Sequence, residues 1–139
     1  MTVMLDTDIC IYTIKRKPIG VLKRLEEYQP GMVVISVITF AELINGAKKS
    51  QYEKENLKRL NALSELIEVL PFDKQAAMAY GDVRSDLEKR GLIIGGNDLF
   101  IAAHALSLNL TLVTNNQREF SRVNGLKIEN WVEGEGILG

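Results

Sequence analysis

Apolar residues along this chain fall into short dense runs, separated by longer stretches in which they recur every three or four positions. Val3-Met4-Leu5 is such a run, stopped by an acid, and Asp8 to Tyr12 after it reads as a strand turning into a helix. Pro18 ends that helix and suits the first turn of the next. There Val21, Leu25 and Tyr28, with Leu22 beside them, keep helical spacing until Gln29-Pro30-Gly31 breaks it. Met32 to Val37 is almost wholly apolar and rich in β-branched residues, as a strand covered on both faces would be. Thr39, followed three residues later by Glu42, makes a capping-box pattern at the start of a helix carrying Leu43, Ile44 and Ala47.

A long amphipathic helix is predicted from Tyr52 to Leu66, a short strand from Ile67 to Leu70, and an alanine-rich helix from Asp73 to Arg90 stopped by Gly91. The Gly95-Gly96-Asn97-Asp98 turn starts a further helix, Leu99 to Leu108, whose small and apolar residues suit deep burial. Thr111 to Thr114 is the next strand and Leu126 to Trp131 the last. Short apolar strands alternating with helices predict an α/β fold, with a mainly parallel central sheet flanked by helices on both faces. Binding sites in such sheets form beyond the carboxyl ends of the strands, where the loops diverge.

Composition narrows the class. The 139 residues suit one domain, here 1–139, and 46% hydrophobic with 25% charged residues is a soluble globular balance. Every apolar run is interrupted well short of the roughly 20 residues a membrane span needs. The start, Met-Thr-Val-Met-Leu-Asp, lacks the basic and apolar segments of a secretory signal. A single cysteine, Cys10, allows no internal disulfide, so a reducing cytoplasm is the expected location. The net charge of −1 excludes a generally basic nucleic-acid binder. Local patches would have to hold RNA: Lys15, Arg16 and Lys17; Lys48 and Lys49; Lys89 and Arg90; Arg118 with Arg122. Each patch is more simply explained as a solvated face or a helix C-terminus, where cations are favoured.

Asp6 ends the first strand, Glu42 opens the helix after the second, Asp98 opens the helix before the Thr111 strand, and Asn116 with Glu119 follows that strand. Parallel topology places all of them on one sheet edge. Carboxylates crowded there repel one another, and a proton or a cation relieves the repulsion. A hard divalent ion suits an all-oxygen set, and without a Cys or His cluster structural zinc has no basis. Each acid also has a plainer use: Glu42 in the capping box, Asp98 at a helix N-terminus, Asp6 as a helix cap.

With only His104, a two-histidine ribonuclease is excluded, and the small apolar residues around it make it a packed or interface residue. Cys10 in its apolar run reads as core rather than nucleophile. Neither a phosphate-loop motif nor a dinucleotide-binding glycine pattern occurs.

Four segments taken in order carry a resemblance: Met-Leu-Asp-Thr-Asp, Ile-Thr-Phe-Ala-Glu-Leu-Ile-Asn-Gly-Ala, Ile-Gly-Gly-Asn-Asp-Leu-Phe-Ile-Ala-Ala-His-Ala and Leu-Val-Thr-Asn-Asn-Gln-Arg-Glu-Phe. They resemble the successive motifs of PIN-domain toxins of VapC type, over essentially the whole chain. The resemblance implies a parallel sheet flanked by helices and a magnesium-dependent endoribonuclease, with manganese as a substitute ion. Asp6 and Asp98 would be direct ligands, and Glu42 would bind directly or through water. Asn116 stands at the family's fourth acidic position, with Glu119 one helical turn on as a replacement, while Thr7 and Thr114 match supporting hydroxyls. Asp8 stands where Asn is usual and is assigned no metal. Also implied are cleavage to a 5′-phosphate and a 3′-hydroxyl, a transfer RNA substrate cut in the initiator's anticodon stem-loop, a cognate antitoxin protein and a homodimer. Two other readings are a phospho-receiver domain using Asp6, Asp73, Thr114 and Lys127, and an inactive PIN-like RNA-binding module suggested by Asn116.

Overall fold

The apolar runs become strands, and the strands pair in parallel. In the computed structural model, which describes residues 2–132, five strands form one sheet: β1 (Val3–Leu5), β2 (Val33–Ser36), β3 (Glu68–Leu70), β4 (Thr111–Val113) and β5 (Ile128–Glu129). Their order is β3-β2-β1-β4-β5, so the first strand in sequence is the central one. Val3 lies opposite Val33 on one side and Thr111 on the other. Every residue of β1 and β2 is buried, as strands covered on both faces must be.

Alternation along the strands sorts the core into two layers. Val3, Leu5, Val33, Ile35 and Val113 face α1 (Thr7–Lys15), α2 (Ile19–Glu26), α3 (Val37–Lys49) and α4 (Glu53–Leu66), through Ile9, Val21, Leu43 and Leu60. Met4, Val34 and Leu112 face α5 (Lys74–Arg90), α6 (Gly96–Ser107) and α7 (Gln117–Phe120), through Leu87, Leu99, Ala102 and Phe120. The predicted architecture therefore holds, with a sheet that is parallel at all four pairings rather than mainly so. The expected single unit of 1–139 extends past the described residues at both ends.

Local differences have physical causes. The strand expected over 32–37 ends at Ser36, because the Ser36 side chain accepts from the Ile38 amide 3.1 Å away and starts α3 without a loop. The capping box expected at Thr39 and Glu42 therefore does not form. Thr39 is buried inside the first turns, and Glu42 stands in the second turn with its carboxylate free for other partners. Residues 8–12 are helical throughout, since Asp6 caps α1 as soon as β1 ends. The short helix α7 has no apolar periodicity long enough to read in advance. The last strand, expected over 126–131, is confined to Ile128–Glu129. Beyond it, buried Trp131 donates to Glu129 at 2.8 Å and packs on Tyr28, and Arg24 bonds Glu129 as well.

A receiver scheme fails on this topology. Asp73 is the N-cap of α5, its side chain accepting from the Ala76 amide at 3.0 Å, and does not end a central strand.

Candidate active site

Three helix starts and one strand end converge beyond the carboxyl edge of β1, β2 and β4. Asp6 is 5% exposed, and both its oxygens are spoken for: Oδ1 accepts from the Thr7 amide and Oδ2 from the Thr114 hydroxyl, each at 2.7 Å. Thr114 follows β4 directly, and its Oγ1 also accepts from the Asn116 amide at 2.9 Å. Thr7 donates through its own hydroxyl to Glu42 Oε1 at 2.5 Å, and Asn97 donates to Glu42 Oε2 at 3.1 Å. A continuous chain of hydrogen bonds thus runs Thr114, Asp6, Thr7, Glu42, Asn97, tying β4, α1, α3 and α6 together. Asp98 is next in sequence, in the first turn of α6, with Gly95 so close that an added Cβ would come within 3.3 Å of its Oδ2.

Electrostatics mark the edge as short of positive charge. Burial first, then the charges of Asp8 and Glu42, push the Asp6 carboxyl up to about 7, against the opposing pull of the Thr114 and Thr7 bonds. Asp98 is likewise pushed up to about 7, by burial, by a hydrogen bond shared with Glu119, and by the charges of Asp6, Glu119 and Glu42. Glu119 moves the opposite way, held down by the Asn116 amide, by Asp98 and by the nearby Arg122 and Arg118. A shared proton in that pair therefore rests on Asp98. Asp8 is raised mainly by burial. Its Oδ2 accepts from the Asn115 amide at 3.1 Å, while its Oδ1 is buried without a partner.

The sequence-predicted residues are thus gathered at one place. Asp6, Glu42, Asp98 and Glu119 lie within electrostatic reach, Thr7 and Thr114 orient two of them, and Asn116 donates to Glu119 at 2.8 Å. None of Asp6, Glu42 and Asp98 forms an ion pair among the described residues. No three acidic, histidine or cysteine side chains among the described residues are close enough to enclose an ion unaided. The donor set nonetheless fits a hard cation: it offers oxygens only, and two of its carboxyls are pushed up to about 7 for want of positive charge. Water or phosphate oxygens would complete its shell.

Sequence reading missed Asn97, which looked like a turn residue; its adjacency to Asp98 was the only signal. The basic clusters divide differently. Lys15, Lys48, Lys49, Lys89, Arg90 and Arg118 all sit in last turns of helices. Lys48 pairs with Glu53, Arg90 with Asp86, and Arg122 donates to the Ile93 carbonyl. Arg118 and Arg122 act on a site acid, through Glu119. Cys10 is fully buried and His104 is 1% exposed, both in the core as expected.

Comparisons with known proteins agree with this geometry. The sequence pattern of the PIN domain matches residues 3–126. The chain is 47% identical over 128 residues to the tRNA(fMet)-specific endonuclease VapC of Shigella flexneri, covering 92% of this chain and 96% of that protein. It is 44% identical over 129 residues to ribonuclease VapC2 of Haemophilus influenzae strain Rd, covering 93% and 97%. The toxin–antitoxin complex DNA-bound VapBC from Salmonella typhimurium superposes with a TM-score of 0.89 at 43% identity, covering 94% of this chain and 98% of that one. This chain belongs to the PIN-domain family, on its branch of VapC ribonucleases.

Proposed function

We propose that this chain is the toxin of a toxin–antitoxin pair, a metal-dependent endoribonuclease that cuts initiator transfer RNA in its anticodon stem-loop and so stops translation. The massing of Asp6, Glu42 and Asp98 at one edge, with no ion pair to any of them among the described residues, carries this reading. The Shigella relative named for tRNA(fMet), and neighbours solved as VapBC complexes, support the substrate and the antitoxin partner. Location in the cytoplasm, a homodimer and one working unit over 1–139 belong to the same reading. No helix among the described residues is long and apolar enough to cross a membrane.

Asp6 and Asp98 would hold magnesium, or manganese in its place, with Glu42 bound directly or through water. Once bound, the divalent ion supplies stabilisation of charge on the scissile phosphate and a more acidic water at neutral pH. The side chains do the rest. Thr114 and the Thr7 amide fix both oxygens of Asp6, and Thr7 with Asn97 fixes both oxygens of Glu42. Glu119, steered by Asn116, would supply the fourth carboxylate, and Asp98, which shares a proton with it, would have to release that proton to solvent to serve as a ligand.

Purified protein mixed with total transfer RNA tests the proposal. One new 5′-phosphate end in the initiator, lost with chelator and lost in Asp6→Asn, is the expected result. Cleaved ribosomal RNA beside intact transfer RNA would remove the substrate. A chain that binds RNA without cutting it would favour the inactive module that Asn116 suggests.

A further inference from the structure

His104 is the one histidine of the chain and lies in the core, where a polar ring needs a reason. Its Nδ1 stands 2.7 Å from the Ser36 hydroxyl, and the ring also bonds the Pro71 backbone carbonyl. A carbonyl only accepts, so the ring nitrogen facing Pro71 carries the hydrogen, and Nδ1 is left as the acceptor of the Ser36 O–H. Ser36 then uses its oxygen to cap α3 through the Ile38 amide and its hydrogen to hold α6. One hydroxyl joins the two helices at the point where α3 begins.

A second link between the same helices lies at the acidic edge, where Asn97 of α6 donates to Glu42 of α3 at 3.1 Å. The start of α3 meets the third turn of α6, and the second turn of α3 meets the first turn of α6, so the helices pass in opposite senses. Six residues separate Ser36 from Glu42 and seven separate Asn97 from His104. At the rise of an α-helix these are about 9 and about 10 Å. The two rungs match in spacing, and a slide of one helix along the other by a turn would break both.

We infer that His104 is a positioning residue: its buried bond to Ser36 is the far rung of a two-rung ladder that fixes the register of α6 against α3, and so sets the reach between Asp98 and Glu42. The ring touches neither substrate nor ion and acts through the helices that carry the acids. This inference rests on the cation site proposed above.

Calorimetric titration of magnesium into the full chain tests it without reference to cleavage. The wild type, His104→Leu, His104→Asn and the core control Val83→Ala are compared. Leucine removes the acceptor, whereas asparagine can set its carbonyl where Nδ1 sits. The expected result is magnesium binding weakened roughly tenfold in His104→Leu, the range for losing an outer support of a metal ligand. Near-wild-type binding is expected in His104→Asn and in Val83→Ala. Should His104→Leu not fold, His104→Gln takes its place, since its amide reaches the position of the other ring nitrogen and leaves the Ser36 hydroxyl without its acceptor; it is expected to bind weakly where His104→Asn binds tightly. Equal binding across the His104 variants, with tight wild-type binding, overturns the ladder alone. Absence of magnesium binding by the wild type overturns the cation site and the ladder with it.

Discussion

Single side chains at the acidic edge have separable duties. Asp6→Asn removes a proposed ligand and a crowding charge while keeping the shape of the side chain. RNA cleavage is expected to vanish, and the metal-free protein at pH 8 to melt a few degrees higher than wild type, as circular dichroism would register. Asn97→Ala leaves one Glu42 oxygen without its donor. Because Asn97 is exposed, stability should change by less than about 0.5 kcal/mol, while magnesium-dependent cleavage falls roughly ten- to hundredfold. An unchanged rate would free Asn97 of any part in the site. The three main acids were legible from strand ends and helix starts, because parallel topology sends all of those to one edge. Asn97 was not, since a Gly-Gly-Asn-Asp turn gives no hint that the amide will face another helix 55 positions away in sequence.

Among the elements, α3 shows where local pattern misleads. Thr39 and Glu42 satisfy the capping-box spacing, yet the chain enters the helix three residues earlier, because Ser36 at the end of β2 already offers an oxygen to the Ile38 amide. The two readings predict opposite mutants. Ser36→Ala should cost about 1–3 kcal/mol, losing the cap and orphaning His104, whereas Thr39→Val should be neutral or stabilising because the buried Thr39 hydroxyl has no partner. Urea denaturation of the pair decides it, and a larger loss in Thr39→Val would restore the capping box. The same misreading concealed that the Glu42 carboxylate is turned to Thr7 and Asn97 rather than to the start of its own helix. Helices and strands of ordinary length were legible because their apolar faces recur; α7, four residues long, has no such face to read.

For the molecule as a whole, the crowded carboxyls couple stability to pH. Asp6 and Asp98 ionise near 3.8 when unfolded and near 7 when folded, so between those values the folded chain holds more protons. Stability therefore falls as pH rises from about 4 to about 7 and levels off above. Asp98 is partly solvated and the two shifts reinforce each other, so the loss is set on the order of 2 kcal/mol rather than at the full sum, roughly 5–10 °C in melting temperature. Magnesium should reverse it at pH 8 and do little at pH 5; metal-free melting that rises across this window would contradict the charge picture. The central place of β1 has a different implication. Asp6 lies near the start of the chain, but the hydroxyl that orients it comes 108 residues later, from the strand that completes the other side of β1. While it is being made, the nascent polypeptide can lay down α1 to α5 without an organised catalytic edge, and a fragment ending near residue 100 should cut nothing. The acidic edge is therefore assembled only once Thr114 and β4 have joined β1.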